Sequence, residues 1–149
     1  MKLAAAPTLP TLLATAFYAF HDLHRPAYHA YAAALLAPEE AATAVAELFD
    51  LVADQWTTVV TGISPSAWAW TRHVHAVAHR TGHPTTPAED AVLLHHTLHL
   101  SIDKIATITG TEPATVTALL ATRHHEHPSD PTPTSHTPRR LACDGPMRR

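Results

Sequence analysis

Residues 100–123, LSIDKIATITGTEPATVTALLATR, constrain the fold more than any other stretch, because local signals mark two short helices and the turn between them. Ile105 and Ile108 stand three apart in the first, and Val116 and Leu120 four apart in the second. Gly110 falls between them, where the chain needs a left-handed turn residue. Ser101 precedes Asp103-Lys104 and Thr111 precedes Glu112-Pro113, marking two helix starts, the second with proline in the first turn where its missing N–H has no bond to lose. Two short helices across a turn of about four residues form a helix-turn-helix. That unit reads DNA, and its second helix, here Pro113 to His124, is the one placed for the major groove.

Upstream, the apolar spacing is helical throughout. Phe17, Phe20, Leu23, Tyr31 and Leu35 give a broken three-four pattern that predicts a first helix over 11–36, kinked by Pro26. Ala37-Pro38-Glu39-Glu40 reads as a turn and an acidic first helical turn, favourable at the positive end of the helix dipole. In this second helix Val45, Leu48, Leu51 and Val52 form the inward stripe, while Glu47, Asp50 and Asp54 form an acidic exposed side. The breaker cluster Thr61-Gly62-Ile63-Ser64-Pro65 precedes a third helix that begins near Ser66 and ends at Gly82. Trp56, Trp68 and Trp70 read as core anchors rather than base-stacking platforms. His83-Pro84-Thr85-Thr86-Pro87 is a short linker, after which AEDAVLLHHTLHL leads as an apolar helix into the motif. No sustained alternating run predicts a strand. The expected fold is therefore all-α with two small helical domains, an amino-terminal bundle over 1–83 and a helix-turn-helix domain over 84–127. From Pro128 the composition turns to proline, serine and threonine with two arginine pairs, which predicts a disordered tail over 128–149.

The length of 149 residues suits one ordinary core or two small ones. A single cysteine, Cys143, excludes a disulfide framework within the chain and points to the cytoplasm. The start, MKLAAAPTLPTLLATA, mimics a secretory leader, but Pro7 and Pro10 interrupt its apolar stretch, so export is not expected. No other apolar run is long enough to cross a bilayer, and no membrane partner is expected. Among the 14 histidines, His75 and His79, and His95 and His99, stand four apart, which is half of a zinc site. No cysteine or His-Glu-x-x-His motif supplies the remaining ligands, so neither a metal nor another cofactor is expected. Asp22 with His21 and His24 are the candidate acid-base residues of an enzyme. Lacking a third orienting group, they do not make one, and the chain is read as a binding protein.

The order of these segments resembles the extracytoplasmic-function sigma factors of bacterial RNA polymerase. In region 4 of that family a Leu-Ser start, an Ile-Ala pair, a Gly and a Thr-Val pair recur at this spacing; here they are Leu100-Ser101, Ile105-Ala106, Gly110 and Thr115-Val116. The amino-terminal half resembles region 2. His24-Arg25-Pro26 followed by Tyr28 and Tyr31 is similar to its first long helix, Ala41 to Phe49 to its second, and Ala67-Trp68-Ala69-Trp70 to the start of the helix that handles melted promoter DNA. Together the resemblances cover residues 15–124. They imply a transcription regulator without catalytic groups, whose partners are RNA polymerase core, promoter DNA and an anti-sigma factor. The implied DNA contacts are Thr115, Thr117, Ala118, Thr122 and Arg123 on the recognition helix, with Arg72 and Arg80 on the region 2 helix. The implied polymerase contacts are Glu47 and Asp50.

Charge argues in the other direction. Residues 1–127 carry six lysines and arginines against eleven carboxylates, a net of −5 with neutral histidines. Duplex binding draws most of its nonspecific free energy from cations at phosphates. Where the family commonly has basic residues in the recognition helix, this chain has Thr117, Leu119 and Thr122. The second reading is accordingly a sigma mimic, a protein-interaction module that binds an anti-sigma factor or other regulator with little or no DNA binding. An exposed Leu119 would favour it, since apolar groups on a recognition face suit protein partners.

Overall fold

The computed structural model describes residues 6 and 8–125, the side chains of 123–125 excepted. The predicted tail lies outside the described residues. All regular structure among them is helical: α1 (Leu9–Leu35), α2 (Pro38–Asp54), α3 (Trp56–Val60), α4 (Pro65–Thr81), α5 (Pro87–Val92), a π-helical turn (Leu93–Thr97), α6 (Ile102–Thr109) and α7 (Pro113–His125). None of these helices is long and apolar enough to cross a membrane.

Proline and glycine set most boundaries. α1, α2, α4 and α5 each carry a proline in the first turn, and α7 begins on Pro113; proline there is pre-set for the helix and loses no hydrogen bond. Gly82 (φ 74°) and Gly110 (φ 69°) end α4 and α6 in the left-handed conformation that a Cβ disfavours. Glu39 and Glu40 occupy the first turn of α2 as expected. α1 continues through Pro26.

α1 and α2 pack against each other, and α4 lies against both. The buried face of α1 is Phe20, His24, Ala27, Tyr28, Tyr31 and Ala32. This corrects the expected stripe: Leu23 and Leu35 are exposed, because the helix turns Phe20, Tyr28 and Tyr31 to the core instead. Leu51 is likewise exposed, and Phe49 takes the inward place beside Leu48 and Val52 on α2. The short α3 was not anticipated. It carries Trp56 beneath α1, where the indole N–H donates to the Leu13 carbonyl at 2.7 Å and the ring meets Phe17 edge-on at 5.6 Å. Trp56 and Trp70 are buried core anchors, whereas Trp68 is half-buried.

Across the expected linker the core is continuous, from Phe20 in α1 to Leu120 in α7. Tyr28 Oη donates to the Ile108 carbonyl of α6 at 3.4 Å, and Tyr31 Oη donates to Asp90 Oδ1 of α5 at 2.7 Å. The helix-turn-helix thus rests directly on the bundle.

Candidate nucleic-acid interface

The local signals of the motif operate as the residue types require. Ser101 Oγ accepts from the Lys104 N–H at 3.2 Å, capping α6 with Asp103 in its first turn. At the other end the Ala106 carbonyl accepts from the N–H groups of both Gly110 and Thr111, a closure that a left-handed glycine permits. Thr111 does not cap α7. Its hydroxyl bonds Thr109 Oγ1 at 2.8 Å, and the first helical bond of α7 runs from the Val116 N–H to the Glu112 carbonyl at 3.1 Å.

Val116 and Leu120 are buried, and Ile105, Ala106 and Ile108 of α6 face them in the common core. Removing each Ile or Val from water contributes about 1.5–3 kcal/mol, which holds α7 against α6. This burial turns Thr115, Thr117, Ala118 and Thr122 to solvent. The Thr117 and Thr122 hydroxyls donate to the carbonyls of Pro113 (3.1 Å) and Ala118 (2.9 Å), leaving their oxygens as acceptors. The Arg123 side chain lies outside the described residues. Leu119 is half-buried against the core.

The two arginines on α4 have local partners. Arg72 is exposed and its guanidinium sits 3.7 Å from the centre of the Trp68 ring, a cation–π contact. Arg80 Nη2 donates to Glu47 Oε2 at 2.9 Å. A residue expected at DNA and one expected at polymerase therefore neutralise each other across α4 and α2. Asp50 is exposed one turn beyond Glu47, on a groove of about 260 Å3 that His21, Arg25 and His29 of α1 also line. The His21–Asp22 pair is a 3.3 Å contact at the surface, while His24 is buried elsewhere in the fold, so the three residues of the enzyme reading do not converge.

Three buried polar residues tie α1 to α4 and α5, and the sequence did not announce these bonds. His24 Nδ1 donates to the Phe20 carbonyl at 3.0 Å, so its Nε2 accepts from Ser66 Oγ at 2.8 Å, tying α1 to the start of α4. Burial lowers its pKa. His73 Nε2 donates to the Tyr28 carbonyl at 2.8 Å, its ring stacks on Tyr28 at 5.0 Å, and its Nδ1 is buried with no partner. Desolvation there lowers its pKa to about 4. Asp90 accepts from Tyr31 and, at 2.6 Å, from Thr85; burial raises its carboxyl above the ordinary range while those donors work against the rise. The start of α5 adds a reciprocal cap, in which Thr86 Oγ1 accepts from the Glu89 N–H and Glu89 Oε2 from the Thr86 N–H. The spacing Thr86-x-x-Glu89 was the signal that could have found it. Among the described residues no group of three or more His, Cys, Asp or Glu is placed to hold a metal ion.

No family model, curated protein or solved structure matches the chain.

Proposed function

We propose that this protein is a cytoplasmic sigma-factor-like transcription regulator, a binding protein rather than an enzyme, whose α7 reads promoter DNA while the Glu47–Asp50 side of α2 engages RNA polymerase core. The observation that supports it best is the geometry of α6 and α7: a capped helix, a left-handed glycine and a second helix that buries Val116 and Leu120 and turns Thr115, Thr117, Ala118 and Thr122 outward. Arg123 continues that helix and supplies its one basic residue between Pro113 and Arg123. The region 2-like and region 4-like halves act as two functional units within the shared core. Co-purification with RNA polymerase core tests the reading. The wild-type chain is expected to elute with core, and separate elution would overturn the polymerase assignment.

The sigma mimic remains the second reading because the outward face of α7 offers hydroxyls and methyls where phosphate binding calls for cations. Leu119, whose exposure would have favoured a protein partner on that face, is half-buried. An anti-sigma factor would be the partner, and a complex that excludes DNA at physiological salt is its expected signature.

A further inference from the structure

A cleft of about 340 Å3 opens where α4 and α5 meet the helix-turn-helix, within the range of about 300–1,000 Å3 typical of small-molecule sites. Trp70, Val74, Ile105, Val116 and Leu119 supply apolar wall. Four threonines and one carboxylate supply the polarity: Thr71, Thr85, Thr109, Thr111 and Asp90.

Hydrogen-bond direction decides what these groups can take. The Thr71 hydroxyl donates to the Ala67 carbonyl, that of Thr109 to the Ile105 carbonyl and that of Thr85 to Asp90 Oδ1. With the Thr109 hydrogen committed, the Thr111 hydroxyl must be the donor in its 2.8 Å bond to Thr109. Every one of the four hydroxyl hydrogens is spoken for, so the threonines offer a ligand lone pairs alone. Asp90 adds a carboxylate that is 5% exposed. Both of its donors, Tyr31 and Thr85, bond the same oxygen, Oδ1, and Oδ2 takes no part in either bond. Asp90 is the one ionisable residue among the described residues that line the cleft. A buried carboxylate without a cation is costly, and a donor-bearing cation is its complement.

We infer that this cleft is a binding site for a small organic ammonium ion with an apolar body, the ammonium donating to Asp90 and the threonine oxygens and the body packing on the walls from α4 and α7. Anionic ligands are excluded by the same carboxylate.

The test is titration of the full chain with 2-phenylethylammonium, followed by amide chemical shifts, beside 2-phenylethanol as a neutral ligand of the same shape. Saturating shifts are expected at Thr85 to Ala91 and Thr109 to Leu119, with the alcohol at least tenfold weaker. Asp90→Asn keeps an oxygen for Tyr31 and Thr85 and is expected to abolish the preference for the amine. Leu119→Trp, which fills the cleft, is expected to abolish binding of both compounds. Should either variant fail to fold, the amine–alcohol comparison on the wild-type chain still decides. Equal affinities for the two, shifts confined to other surfaces, or no saturation by the amine would overturn the inference.

Discussion

In α6 and α7 every buried side chain among the described residues is aliphatic: Ile105, Ala106, Ile108, Val116 and Leu120. In α1 and α4 the buried set includes Phe20, Tyr28, Tyr31 and Trp70, together with His24 and His73. The first pair of helices is shaped by bonds between near neighbours, such as Ser101 to Lys104 and Thr111 to Ala106. The second is held by polar contacts between residues far apart in the chain, 42 positions for His24–Ser66 and 45 for Tyr28–His73. A motif that specifies itself locally needs only a surface to rest on, and the bundle provides it. Gly110 marks the resting point: a Cβ there would collide with the Ala67 backbone nitrogen and lie 2.7 Å from Ala67 Cβ and Ser64 Oγ.

Substituting the two left-handed glycines tests this contrast most severely. Gly110→Ala carries left-handed strain of about 1–2 kcal/mol plus an overpacking cost of about 1–3 kcal/mol against α4, and is expected to lose about 4 kcal/mol in urea unfolding. Gly82→Ala has the same strain at φ 74° but nothing within 4 Å of the new methyl. Its expected loss is about 1–2 kcal/mol. Equal losses would mean that the motif does not bear on the bundle.

The buried His73 makes stability depend on pH. His73 has its pKa lowered to about 4 when folded, against an ordinary value of 6.5. Between those values the unfolded chain binds the proton and the folded chain does not, so stability falls as pH drops from 6.5 towards 4 and the loss levels off below. Its full size is about 3 kcal/mol, and the buried His24 adds to it in the same direction. His73→Phe is expected to flatten most of this slope in unfolding midpoints measured from pH 7 to pH 4. An unchanged slope would remove His73 as its cause.

The legibility of the chain follows the same division. Ser101, Gly110, Pro113, Gly82 and Pro38 each act through their own backbone neighbourhood, and the helix ends they predict are the ones observed. The expected inward Leu23, Leu35 and Leu51 are exposed because periodicity marks a face only when residue type and burial agree. Here Tyr28, Tyr31, His24 and His73 are drawn inward by partners on other helices, which no local window contains. The π-helical turn at Leu93–Thr97 and the five-residue α3 escaped for a related reason: each is too short to carry a period of its own. Arg80 and Glu47 were assigned to different partners because their 33-residue separation hid the bond between them.

Breaking that bond costs the fold little. An exposed ion pair is worth at most about 1 kcal/mol, so Glu47→Lys is expected to change folding by no more than this while weakening association with RNA polymerase core. Core titrations with wild type and variant check it, and equal affinity would reject Glu47 as a contact.

Fluorescence anisotropy on duplex promoter libraries, with and without RNA polymerase core, tests whether α7, held on the bundle, reads promoter DNA. Sequence-specific binding with a shallow salt dependence is expected, reduced by Thr117→Ala and Arg123→Ala and strengthened by Thr117→Lys. No sequence-specific binding in either condition would contradict it.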